Sequence, residues 1–293
     1  MSGITTEYPA IRCADDTKLA ATFFVPKGAP KAAVMVAPAT GIKRSFYTPF
    51  AEYLAENGFG VITFDNRGIG DSLHGPVKDC KASLQDWGQL DMPAVLETLK
   101  TRFPEAQYHL VGHSAGGQLF GLMPNASDLA SVFNYAASSG RLANMKLPFR
   151  LQARFFMNVY IPLNNLVFGH TKSQWVGMGE PLPRQVAGQW RTWCNGGGYV
   201  RTAFGKSVKR HWYDTVDCPS VWVNAVDDPI SINENVSDML AVFNKLPAER
   251  LTLIPADYKL PAIGHMKFFS RKNKVLWQLV IDWLRINEPG SHH

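Results

Sequence analysis

A serine hydroxyl is a poor nucleophile at neutral pH. It becomes a useful one when the backbone holds it clear of its neighbours, within reach of a base and of donors for developing negative charge. The stretch Gly112-His113-Ser114-Ala115-Gly116 has the residue types for such a turn, with a glycine two positions to either side of the serine. It follows the apolar run Tyr108-His109-Leu110-Val111 and precedes Gln118-Leu119-Phe120-Gly121-Leu122, so the local reading is strand, sharp turn, helix. A carboxylate pair, Asp227-Asp228, and a histidine, His265, occur later, each just after a segment that reads as a strand. Chemically, His265 would take the proton from Ser114 while a carboxylate holds the imidazole in the useful tautomer, and the serine oxygen would attack a carbonyl carbon. The oxyanion so formed needs two donors. The turn itself offers the N–H of Ala115, and the loop Pro38-Ala39-Thr40-Gly41 offers that of Ala39 or Thr40.

Each of these residues also has a structural reading. Asp227 and Asp228 could cap a helix beginning near Ile232, and His265 alone could be an exposed loop histidine. His113 is expected to orient the turn, with His74 and His109 structural.

The elements that must position these groups alternate along the chain. Strands are read at 20–25, 32–37, 60–64, before Ser114, at 131–136, 220–225 and 250–255. Helices are read at 46–57, 85–103, after Ser114, at 233–243 and 271–287. That alternation argues for an α/β chain with a mostly parallel sheet covered on both faces, whose functional groups gather beyond the carboxyl ends of the strands. It lapses at 140–213, a stretch rich in aromatics and interrupted by Pro162, Pro181, Pro183 and Gly196-Gly197-Gly198. Charge changes there too. From Arg141 to Tyr213 there are eleven Lys/Arg against one acid, Glu180, a local +10 in a chain of net charge +6, which leaves the remainder at −4. A compositional break of that size marks a separate unit. The expected organisation is therefore a core at 1–139 and 214–288, an inserted segment at 140–213, and a tag remnant at 289–293.

A chain of 293 residues, 46% hydrophobic, can bury a sizeable core. Its first residues have no basic start leading into an apolar run, and no window approaches the ~18 uninterrupted apolar residues of a membrane span. The four cysteines, Cys13, Cys80, Cys194 and Cys218, are far apart without Cys-x-x-Cys spacing, so reduced thiols in a cytoplasmic protein are expected, with no metal site. The basic, aromatic segment carries no nucleic-acid recognition motif, and nucleic acid is not an expected partner.

On these residues the chain resembles the α/β-hydrolase family, in particular its branch of serine hydrolases containing monoglyceride lipases, esterases and proline aminopeptidases. Beside the Ser114 turn, the resemblance rests on Asp65-Asn66-Arg67-Gly68-Ile69-Gly70-Asp71-Ser72, similar to the family's Asp-x-Arg-Gly-x-Gly-x-Ser turn. It extends over residues 17–138 and 214–287. The resemblance implies an α/β-hydrolase fold with a helical cap at 140–213, and a nucleophile, acid, base order of Ser114, Asp228, His265. Asp228 is preferred to Asp227 because Asp-x-Ile fits the family's local pattern, with Asp227 kept as the alternative. The Asp65–Ser72 turn is structural in the family, so Asp65 and Arg67 receive no chemistry. Many relatives carry His-Gly where this chain has Pro38-Ala39-Thr40-Gly41, which leaves the second oxyanion donor open. A serine at 114 also separates the chain from relatives that use an aspartate nucleophile.

The expected activity is cofactor-independent hydrolysis of a small-molecule carboxylic ester or thioester through an acyl-enzyme. Trp175, Trp190 and Trp193 are expected to wall the substrate pocket, and the cationic segment to favour an anionic or amphiphilic substrate. Alternatively, those aromatics are the segment's own core and the cations face water. An acyltransferase, a C–C bond hydrolase or a peptidase would use the same three residues, and a hydrolase-like binding protein would carry them idle.

Overall fold

The computed structural model describes residues 3–288; positions 289–293, read as a tag remnant, lie outside the described residues. Eleven strands are described: β1 (Thr5–Glu7), β2 (Ala10–Arg12), β3 (Lys18–Val25), β4 (Ala32–Ala37), β5 (Gly60–Phe64), β6 (Gln107–His113), β7 (Leu129–Tyr135), β8 (His170–Thr171), β9 (Leu182–Pro183), β10 (Ser220–Ala225) and β11 (Ala248–Leu253). The main sheet runs β1-β3-β5-β4-β6-β7-β10-β11, with β2 also paired to β3. From β5 to β11 every pairing is parallel, while β3 joins β5 antiparallel. β8 and β9 pair separately, inside the stretch between β7 and β10.

Alternation along β4 shows why the sheet is covered on both faces. Ala33, Met35 and Ala37 pack into one apolar cluster, and Val34 and Val36 into the other. The second cluster takes in Phe50 and Leu54 of helix Thr48–Glu56 and Trp277, Val280 and Leu284 of helix Trp277–Ile286. The first takes in Val95, Leu96 and Leu99 of helix Met92–Arg102, together with Phe156, Trp193 and Tyr199 from the 140–213 stretch. That stretch leaves the sheet after β7 and returns at β10, its immediate neighbour.

Several helices differ from the continuous ones read in the sequence, for identifiable reasons. The helix at 85–103 is interrupted by a wider π-type turn at Trp87–Asp91, and a second π-type turn at Phe156–Tyr160 interrupts the helix running through 149–167. Each is followed, two residues on, by a proline: Pro93 in one case and Pro162 in the other. A proline inside a helix lacks the N–H for the i→i−4 bond and crowds the carbonyl four residues back, and a widened turn relieves both. The helix after Ser114 is short, Ala115–Gln118 with a tight turn at Phe120–Leu122, and Pro124 follows it. Helices at the chain's 46–57 and 271–287 begin as 3₁₀ turns, Arg44–Tyr47 and Arg271–Leu276.

The Asp65–Ser72 turn is locked by buried ion pairs. Arg67 Nε donates to Asp91 Oδ1 at 2.6 Å and its Nη1 to Asp15 Oδ2 at 2.6 Å, and Asp65 pairs with Arg44. Asp91 is fully buried. Removing its cation leaves an uncompensated charge, so Arg67→Ala is expected to cost about 3–5 kcal/mol in unfolding free energy, read from urea denaturation. A loss below about 1 kcal/mol would show that Asp91, whose pKa burial already pushes up to about 7, takes up a proton in place of its cation.

Candidate active site

Ser114 sits at the end of β6 with φ +48° and ψ −109°, outside the regions an ordinary L residue favours. The neighbours impose that bend. A Cβ on Gly116 would lie 2.1 Å from the Ala37 carbonyl oxygen of β4, and one on Gly112 would lie 2.5 Å from Asn134 Oδ1 of β7. The bend is closed by three backbone bonds: Ser114 N–H to Tyr135 O, and the Gly117 and Gln118 N–H groups to Ser114 O, each 3.0 Å.

The structure brings Ser114, His265 and Asp228 into one hydrogen-bonded line. Ser114 Oγ is 3.1 Å from His265 Nε2, and His265 Nδ1 is 2.8 Å from Asp228 Oδ2. The other Asp228 oxygen accepts from the Ile230 N–H at 2.8 Å and the Ser231 N–H at 3.0 Å. Burial alone would raise the Asp228 pKa. The facing His265 and the two amides outweigh it, so the carboxyl titrates below its ordinary 3.8. Asp227 points elsewhere: its two oxygens accept from the Ile263 and Gly264 N–H groups at 2.9 and 3.0 Å, which ties down the loop carrying His265. Neither carboxylate caps helix Asn233–Leu240, whose N-terminus has no side-chain cap.

Of the three amides considered for an oxyanion site, one is occupied. The Ala39 N–H donates to Tyr47 Oη at 2.9 Å, whereas the Ala115 and Thr40 N–H groups have no acceptor among the described residues. Tyr47 Oη is also 2.8 Å from His113 Nδ1, and His113 Nε2 is 3.0 Å from the His265 carbonyl oxygen. These contacts fix every proton. A carbonyl can only accept, so Nε2 carries the hydrogen; Nδ1 of a neutral ring then accepts from the Tyr47 hydroxyl. The result is a directed chain, Ala39 N–H to Tyr47 O–H to His113 to His265 C=O, joining the Thr40 loop to the His265 loop beneath the serine turn. Burial, with a smaller contribution from His265, pushes the His113 pKa down to about 3, which keeps the ring neutral. His109 bonds Ser131 Oγ at 2.8 Å in the core, and His74 bonds the Lys18 carbonyl at the surface.

Ser114, His265, Ala39 and Thr40 line one cavity of about 540 Å³. A more open groove of about 1000 Å³ lies between the Glu7–Ala14 region and helix Met92–Arg102 and contains none of these residues.

Residues 28–155 match a protein-family model described as serine aminopeptidase, S33. The chain has the α/β-hydrolase fold. Among solved structures it is similar to a soluble variant of the monoglyceride lipase of Saccharomyces cerevisiae, at 12% identity and TM-score 0.70 over 98% of this chain and 97% of that one. It is also similar to an esterase of Pyrococcus furiosus, at 16% identity and TM-score 0.63 over 96% and 90% of the two chains. A third is a thermophilic esterase of Thermogutta terrifontis, at 17% identity and TM-score 0.55 over 96% and 99%. No curated protein gives a significant sequence match.

The cavity wall differs from the one read in the sequence. Only Trp190 of the three tryptophans lines it. Trp193 is buried edge-on against Tyr199, ring centres 5.0 Å apart, because it faces the core side of helix Arg184–Asn195. Trp175 is exposed, with the Lys172 ammonium 4.0 Å above its ring. The apolar lining comes instead from Met145, Phe149, Phe155, Phe156, Met157 and Met178. None of the eleven Lys/Arg of 141–213 lines the cavity. Sequence gave no signal for Tyr47, which lies in no motif, or for the methionines, which carry none.

Two buried imidazoles make stability pH-dependent. The folded pKa values of His113 and His109, pushed down to about 3 and about 4 by burial, lie below the ordinary 6.5. The unfolded chain therefore binds more protons below 6.5, and stability falls as pH drops through that window, by up to about 1.4 kcal/mol per pH unit for each ring. Urea midpoints measured between about pH 7 and pH 4.5 should fall steadily in the wild type and less steeply in His113→Gln. Equal slopes would mean that His113 is protonated in the folded state.

Proposed function

We propose that this α/β-hydrolase is a serine esterase or thioesterase acting on a substrate with an apolar acyl group. The observation that carries the reading is the Ser114–His265–Asp228 line opening into an apolar cavity beside two unpartnered amides. In this reading His265 withdraws the proton as Ser114 Oγ attacks the acyl carbon. The imidazolium that results is balanced by Asp228, whose buried charge is already held by two amides and needs no rearrangement. Ala115 and Thr40 N–H groups receive the oxyanion. His265 then returns the proton to the leaving oxygen or sulfur, and water, deprotonated by the same imidazole, releases the acid. Residues 140–213 act as a cap, since Met145, Phe149, Phe155, Phe156 and Trp190 supply much of the cavity wall.

The lining also bears on substrate class. With no cation among its residues, the cavity favours an uncharged acyl chain over the anionic one that the segment's charge suggests. An aminopeptidase must hold a substrate ammonium, and the cavity offers no Asp or Glu for that purpose. The four free thiols support a reducing, cytoplasmic setting.

Fluorophosphonate labelling of the wild type, abolished in Ser114→Ala together with at least a thousandfold of ester turnover, is the expected outcome. An unlabelled wild type would make this an idle hydrolase-like binder. Across p-nitrophenyl esters from acetyl to octanoyl, kcat/KM should rise by about two- to fourfold per methylene, since each buried CH₂ is worth up to ~0.8 kcal/mol. A flat profile would remove the acyl chain from the cavity. The two carboxylates should also separate. Asp228→Asn is expected to lose about three to four orders of magnitude in kcat, and Asp227→Asn no more than about tenfold, because only the first faces the imidazole.

A further inference from the structure

The helix running from Phe149 to Val167 buries one side and leaves the other bare. Phe156, Met157, Ile161 and Asn164 face inward. Leu151, Phe155, Val159, Leu163, Leu166 and Val167 stand 41–78% exposed on the outside. Five of these six are spaced by four. On a regular helix such a row would drift by about 40° per step, and the π-type turn at Phe156–Tyr160 slows the rotation in its middle. The ridge is about 24 Å long. Trp175 extends it, stacking edge-on against Phe168 with ring centres 5.7 Å apart.

The stretch that carries this ridge is rich in cations and has a single acid. Lys146, Arg150, Arg154, Lys172 and Arg184 lie within 4.0 Å of no carboxylate among the described residues, and Glu180, the one acid of the 141–213 stretch, is paired with Lys43. Lys172 lies over both the Phe168 and Trp175 rings, an ammonium held at the level of one half-buried and one exposed aromatic.

We propose that this ridge docks on an anionic lipid bilayer, with the helix lying in the interface. An amphipathic helix with large apolar side chains on one side and Lys/Arg beside them gains from both apolar burial and lipid charge. A second copy fits poorly, because it would bring two sets of the same unpaired cations, Lys146, Arg150, Arg154, Lys172 and Arg184, together. An acidic soluble protein would use the cations but has no need for the ridge's continuity with the cavity. Phe155 and Val176 are exposed at the ridge and also line the cavity, which makes an apolar path from bilayer to Ser114. The surface goes beyond the hydrolytic reading, and its binding can be measured whether or not that reading holds.

The test is flotation of the full chain with vesicles of phosphatidylcholine alone and with about 30% phosphatidylglycerol. Partitioning to the anionic vesicles should be at least about tenfold stronger and fall with added salt. Leu163→Glu/Leu166→Glu should lose about tenfold or more of that binding, as should Arg154→Glu to a smaller extent, with labelling of Ser114 by a soluble fluorophosphonate unchanged. None of the three residues lines the cavity. Equal partitioning to both vesicle types, absence of binding, or a double variant that floats like the wild type would each overturn the proposal. So would a solution dimer that the double variant dissociates while neither protein binds vesicles, since the ridge would then be covered by a second copy.

Discussion

The approach of the serine turn to the strands on either side is the constraint on which the rest of the site depends. No Cβ fits at Gly112 or Gly116, and one on Gly117 would stand 2.3 Å from Asn134 Oδ1. Backbone packed this closely leaves Ser114 only its unusual φ and ψ, and the packing against Ala37 and Asn134 is what compensates the strain. The same closeness decides where the proposed oxyanion site can be. Ala115 follows the bend directly, and Thr40 lies three residues past the end of β4, the strand the turn presses against. Rigidity in one place therefore sets two of the groups that the proposed chemistry needs.

A second constraint ties together loops that are distant in sequence. Tyr47 begins beside the first helix, His113 ends β6, and His265 lies past β11, yet one run of hydrogen bonds passes through all three. It works only if His113 is neutral with hydrogen on Nε2, and full burial ensures that. His113 and His265, ring centres 5.8 Å apart, thus divide two tasks: one is sealed in the interior and carries position, the other faces the cavity and carries the proposed proton transfer. Asp227 and Asp228 divide theirs in the same way, the first holding backbone and the second holding a ring.

Much of this was legible in the chain. The strands were readable because parallel strands buried on both faces are short apolar runs between turn signals, and β4, β5 and β10 are fully buried along their length. Ser114 was readable because its strained turn demands glycine at fixed spacing, and His265 and the carboxylates because they follow strands. Three things were not. The choice between Asp227 and Asp228 depends on a one-residue difference in direction, which local pattern expresses weakly. Tyr47 acts through a tertiary contact with no local spacing. The tryptophans were misplaced because aromatic content says that a segment has apolar surface and not which side of each helix meets the cavity; Trp190 and Trp193, three apart on one helix, end up in different environments.

The prolines explain why the 140–213 stretch was opaque as structure. Pro162 reads in sequence as a break, and it sits instead inside a helix whose turn has widened to admit it, as Pro93 does in helix Met92–Arg102. Widening rotates the side chains that follow. In the first case the altered phase lies beside Gly88, where a Cβ would stand 2.7 Å from Leu122, so the helix lies close under the segment that follows Ser114. In the second it turns Phe156 and Met157 inward to the cavity, leaves Val159 outside, and sets Phe155 at the rim, exposed and lining at once. A regular helix with the same sequence would bring a different set of side chains to the cavity wall. The irregularity that defeats periodicity as a guide to structure is thus also what divides this helix between a lining and an outer surface.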